Sequence, residues 1–190
     1  YSLVAARERR WIILGIGIAL ALTSAHRSLL YADAERLWAD AVAKTPGNPR
    51  AYDNLAAAII RKDSTRAEEA ERVLRQAIAV DSTYVTAWNN LAAIAIQRGR
   101  AAEGRELLEH ALRINPDYVD ASERLGELLV KSGDTPTAIA NLERVVAVHP
   151  SEEALSNLAI AYMTAGRRDD AKSALRRLIE LNPHRADALS

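Results

Sequence analysis

The chain has 190 residues, with 25 Lys and Arg against 25 Asp and Glu, so it carries no net charge, and it contains no cysteine. Without cysteine there are no disulfides, thiolate metal sites or cysteine nucleophiles. Without a basic face of any size there is no footprint for a phosphate backbone, so nucleic acid is not an expected partner.

At the N-terminus, residues 1–27 hold Arg7, Arg9, Arg10 and Arg27 against Glu8 alone, a balance of +3 that the rest of the chain offsets with −3. From Trp11 to Ala25 no residue is charged. As a helix this run spans about 22 Å, short of a hydrocarbon core of about 30 Å. Arg10 and Arg27 can snorkel, and Leu29, Leu30 and Tyr31 lengthen the apolar stretch. Three readings compete: a cleaved signal peptide ending in the small residues Thr23-Ser24-Ala25, a buried soluble helix, and a single transmembrane anchor. The anchor is preferred, over residues 11–30, after a basic cytoplasmic segment 1–10. The arginines preceding the span put the N-terminus in the cytoplasm and the rest on the periplasmic, extracytoplasmic side of a bacterial inner membrane. Gly15, Ala19 and Thr23, four apart, form a small-residue stripe where another transmembrane helix can pack.

Downstream the chain repeats. Leu55-Ala56, Leu91-Ala92, Leu125-Gly126 and Leu158-Ala159 recur at spacings of 36, 34 and 33. Pro46, Ser82, Pro116, Pro150 and Pro183 recur at 36, 34, 34 and 33. A period of this size predicts stacked helical hairpins. The third unit is expected to form its first helix over about Val85–Arg98, with Trp88, Leu91, Ala92 and Ala95 on one face. Gly99, Gly133 and Gly166 supply the left-handed residue that ends these first helices. The second helices carry a small residue, then apolar positions: Ala70-Leu74-Ala77-Ile78, Gly104-Leu108-Ala111-Leu112, Ala138-Leu142-Val145-Val146 and Ala171-Leu175-Leu178-Ile179. Small residues on both helices let their axes approach, and each proline stops the second helix.

Spacing, small positions, turn glycine and closing proline together resemble the tetratricopeptide repeat (TPR), over about residues 31–183. Departures are Ser82 in place of proline, a turn about two residues longer at Lys62–Arg66, and Gly104 in place of alanine. The resemblance implies an all-α, right-handed α-solenoid of helix-turn-helix repeats preceded by a single transmembrane helix. Its parts are a half repeat at 31–46, full repeats at 47–82, 83–116, 117–150 and 151–183, and a tail at 184–190. The half repeat is expected to take its missing first helix from the end of the membrane span. The last repeat's apolar edge (Leu175, Leu178, Ile179, Leu181) is expected to be covered by another element or partner.

No catalytic constellation is evident. His26, His110, His149 and His184 are scattered without metal-ligand spacing, and the pairs Glu68-Glu69, Glu152-Glu153 and Asp169-Asp170 suit helix starts. The expectation is a non-enzyme with no cofactor and no metal. In TPR proteins the inner groove is lined by first-helix residues facing away from the second helix. By register these are Arg50, Asp53, Ala57 and Ile60; Thr86, Asn89, Ala93 and Ile96; Asp120, Glu123 and Glu127; and Ser156, Ile160 and Met163. Asp53 and Asn89 stand where a carboxylate clamp would need lysines, so an apolar segment with some basic residues is the expected occupant.

Three functions follow as expectations. The first is a membrane-anchored scaffold or assembly subunit, with other protein subunits and the lipid bilayer as partners. The second is the C-terminal portion of a multi-span membrane glycosyltransferase. The stretch through Ser28-Leu-Leu-Tyr31, Leu37-Trp38, Pro46-Gly-Asn48 and Arg50-Ala-Tyr-Asp-Asn54-Leu55 resembles the junction after the last span of such enzymes. The third is a periplasmic peptide-binding or chaperone module.

Overall fold

The computed structural model describes residues 33–182. The expected transmembrane helix 11–30 with Gly15, Ala19 and Thr23, the basic segment before it, the start of the half repeat and the tail 184–190 lie outside the described residues. Among the described residues there are nine α-helices, one short 3-10 turn and no strand, and no helix is long and apolar enough to cross a membrane. The chain divides into two compact units, Tyr1–Val73 and Leu74–Ser190.

The first unit contains α1 (Ala34–Lys44), α2 (Pro49–Lys62), the 3-10 turn Ser64–Arg66 and the first turns of α3 (Ala67–Val80). Asp33 caps α1 by accepting from the Glu35 amide at 3.1 Å, and Asn48 caps α2 by accepting from the Arg50 amide at 3.1 Å. Pro49 sits at the first helical position, where a missing N–H costs nothing. The reversal between α1 and α2 lays the two helices together. Ion pairs tie them: Lys62 reaches Asp33 at 2.9 Å and Glu35 at 3.0 Å, and Arg66 reaches Glu35 at 2.8 Å. The longer turn at Lys62–Arg66 becomes the 3-10 turn because Asp63 accepts from both the amide and hydroxyl of Thr65.

The second unit holds the rest of α3, then α4 (Val85–Gln97), α5 (Ala101–Ile114), α6 (Val119–Ser132), α7 (Thr135–Val148), α8 (Glu152–Thr164) and α9 (Arg168–Leu181). Three hairpins, α4–α5, α6–α7 and α8–α9, stack so that α6 lies on α5 and α8 on both α7 and α6. Leu91, Leu108, Leu129, Leu142 and Leu155 are each at most 1% exposed. Side chains of this kind contribute about 1.5–3 kcal/mol apiece when fully buried.

Local chemistry sets the helix ends. Gly99, Gly133 and Gly166 have φ of 78°, 79° and 75°, the left-handed conformation the sequence assigns them. At each, the following amide reaches back five residues: Arg100 to Ala95 at 2.8 Å, Asp134 to Leu129 at 3.0 Å, Arg167 to Tyr162 at 2.8 Å. Thr45, Asn115, His149 and Asn182, each before a proline, leave the helical region with φ between −134° and −141°. Ser82 has no ring to do this, and there the Asp81 carboxylate holds the turn by accepting from the amide and hydroxyl of Thr83.

Close approach is sharpest at two glycines. A Cβ on Gly104 would run into Ile96 Cγ1 and come 3.3 Å from the Ala92 carbonyl oxygen; a Cβ on Gly126 would run into Leu142. At Gly126 the Leu142 side chain of α7 fills the space that a Cβ would take.

Candidate partner-binding surface

The residues assigned to the inner groove divide by burial. In the first unit, Arg50 and Ala57 are exposed, Ile60 is half-buried, and Asp53 is only 8% exposed. In the second unit, Thr86, Ala93 and Ile96 of α4 are half-buried, and Asn89 is 3% exposed. Ile96 lies over Gly104 of α5, on the side of its own hairpin partner. Asn89 accepts from the Arg124 guanidinium of α6 at 3.4 Å, so its side chain is engaged inside the unit.

The α6 residues are acidic and more accessible. Asp120 is exposed, and Glu123 and Glu127 are half-buried. Glu127 pairs with Lys131 at 2.5 Å, one turn along the same helix. Glu123 accepts from the hydroxyl of Ser151, whose oxygen in turn accepts from the Ala154 amide at 3.0 Å. One carboxylate therefore orients the cap of α8, the helix that carries the last groove residues. On α8, Ser156 is half-buried, while Ile160 and Met163 are 48% and 57% exposed. Exposed side chains of that size are the places where a partner gains apolar contact.

A second polar cluster was not singled out in the sequence. The Tyr162 hydroxyl donates to Glu143 of α7 at 2.6 Å, and the Arg167 guanidinium lies 4.5 Å from the Tyr162 ring centroid. Burial, then the hydrogen bond and charge of Glu143, push the Tyr162 phenol up to about 12. Arg167 also pairs with Asp170 at 2.7 Å and borders a cleft of about 390 Å³ with Thr135, Pro136, Ile139 and Ala165. The only advance signal was a tyrosine about three turns after an N-cap serine. Its partner is 19 residues away, beyond any helical period.

His110 is turned against Trp88, ring centroids 3.9 Å apart, and contacts Arg113 at 3.0 Å. Among the described residues no group of three His, Asp or Glu side chains could hold a metal ion.

Residues 49–166 match the family of the CABIN1 N-terminal domain, and residues 152–185 match the tetratricopeptide repeat. No curated protein matches by sequence. Among solved structures the chain is similar to MamA, with a TM-score of 0.69 at 21% identity over 80% of this chain and 89% of that one. It is similar to YrrB, described as a TPR protein with an unusual peptide-binding site, with a TM-score of 0.68 at 24% identity over 80% of this chain and 77% of that one. A MamA fragment from Desulfovibrio magneticus RS-1 gives a TM-score of 0.65 at 24% identity over 71% and 76%. At such identities the likeness speaks for the fold. Since the matched span covers more than half of its length, the chain belongs to the CABIN1 N-terminal domain family, and it is a tetratricopeptide-repeat protein.

Proposed function

We propose that the chain is a non-catalytic scaffold subunit anchored in the bacterial inner membrane by residues 11–30. Its repeats hold other proteins of a membrane complex on the extracytoplasmic side. One observation carries the binding part: on α6 and α8 an acidic row, Asp120, Glu123 and Glu127, accompanies the exposed apolar pair Ile160 and Met163. Apolar side chains supply affinity and fixed charges select the partner. The preferred partner segment has apolar anchors and basic residues. YrrB, similar in fold, is described as having a peptide-binding site, which supports the same kind of use. The anchor rests on the uncharged run Trp11–Ala25 with its flanking arginines, and the small-residue stripe Gly15, Ala19, Thr23 would pack against a partner span.

Co-purification of the full chain from native membranes tests this reading. The expected result is a complex whose subunits dissociate when Ile160 and Met163 are both changed to Glu. A chain that runs alone in mild detergent and retains no protein would end it. The junction sequence from Ser28 to Leu55 supports a second reading, the C-terminal part of a multi-span glycosyltransferase. Many further spans encoded upstream of Tyr1 would favour that one.

A further inference from the structure

In the second unit one register recurs on α5, α7 and α9: Leu108, Ala111 and Leu112; Leu142, Val145 and Val146; Leu175, Leu178 and Ile179. α6 packs over α5 and α8 over α7. Under those helices Leu108 and Ala111 are 0% exposed, and Leu142, Val145 and Val146 are 0%, 5% and 2%. On α9 the equivalent Leu175 and Ile179 are 43% and 52% exposed. The face that a helix covers twice stands open a third time among the described residues.

The rim of this face has a sign. On α7 the residue after the register leucine is Glu143, which accepts from Tyr162 of the covering helix at 2.6 Å and lies 3.7 Å from Arg167. On α5 the residue one turn earlier is Arg105, which reaches Asp134, just past the end of the covering helix, at 3.1 Å. The same two places on α9 hold Arg176 and Lys172. Lys172 is 67% exposed and pairs with Asp169 at 3.7 Å. At the first place the covered α5 and α7 carry Glu109 and Glu143 where the open α9 carries Arg176; at the second, α5 and α9 are both basic, so only on α9 are both places basic.

We propose that α9 is a docking face for one amphipathic helix of a partner protein. That helix carries apolar residues three and four apart, and its last turn is acidic. This surface is separate from the α6–α8 acidic row, so its use does not depend on the scaffold reading above.

The probe is a fluorescein-labelled, hydrocarbon-stapled peptide with the sequence of residues 151–166, the helix that covers this register on α7, carrying Tyr162→Glu to meet Arg176. The staple supplies the helicity that so short a peptide lacks alone. Titrated with the full chain, its anisotropy should rise to saturation. Ile179→Asp should weaken binding at least about tenfold while leaving the thermal melt unchanged, since one buried apolar contact is exchanged for a charge. Arg176→Glu should weaken it about three- to fivefold, as rim pairs do, and a peptide with Tyr162→Arg should recover that loss. No binding, or equal binding by Ile179→Asp, overturns the proposal. Binding that emerges only after removal of residues 183–190 assigns the face to the chain's own tail. Self-association abolished by Ile179→Asp assigns it to a second copy. Either result also overturns it.

Discussion

The guanidinium of Arg144 donates to the hydroxyl of Ser122 at 3.0 Å, joining α7 to α6 across their hairpin. It also donates to the carbonyl of Pro116 at 2.7 Å. In two other repeats the carbonyl at this link is met from the first helix itself, by the Tyr52 hydroxyl to Pro46 at 3.1 Å and by the Trp88 indole to Ser82 at 2.9 Å. Ser122 is too short for that reach, and an arginine of the second helix takes over. Arg144→Ala should therefore lower stability by about 1 kcal/mol, because Ser122, 2% exposed, loses its partner. Urea unfolding measures it, and Arg144→Lys should recover only part.

Gly104→Ala and Gly126→Ala should destabilise even though alanine favours helix by about 1 kcal/mol. The added methyl must displace Ile96 Cγ1 in one case and the fully buried Leu142 in the other. Overpacking of this kind costs about 1–3 kcal/mol. Combining Gly104→Ala with Ile96→Ala should be less damaging than the sum of the two changes, read as a coupling in a double-mutant cycle.

Acid should loosen the first unit. Hydrogen bonds from Arg66, then Lys62, hold the Glu35 carboxyl at about 2 against an ordinary value of 4.5. A depressed acid contributes stability above its unfolded pKa and loses it as pH falls through the folded one. The tie between α1 and α2 should weaken between about pH 4.5 and pH 2. Glu35→Gln should be less stable at neutral pH and flatter across that window, followed by thermal melts at stepped pH.

Tyr162 works in the opposite direction. Its phenol, raised to about 12 by burial and by Glu143, contributes stability that is complete below pH 10 and declines as pH rises through the folded value. Ultraviolet titration should show one tyrosine ionising late, and Glu143→Gln should bring it down. Tyr162→Phe should cost about 0.5–1.5 kcal/mol through the lost hydrogen bond.

For the binding surface, Asn89→Ala and Met163→Glu should separate. Asn89 is 3% exposed and held by Arg124, so its loss should lower the melting point. Met163 is 57% exposed, so its change should leave the melt alone and weaken partner retention, assayed by pull-down of the full chain from membranes.

The repeat period and the helix stops were legible in the residues because each is set within a turn or two of chain. A glycine must go left-handed, and a proline denies its predecessor the helix. The rotation of each helix about its own axis was not legible. It turns on contacts 19 to 35 residues apart, such as Tyr162 with Glu143, Ser151 with Glu123 and Asn89 with Arg124. Register alone put Asn89, Ile96, Ile160 and Met163 on one face. Only packed neighbours decided that Asn89 is buried, that Ile96 fills the space above Gly104, and that Ile160 and Met163 stay open to solvent.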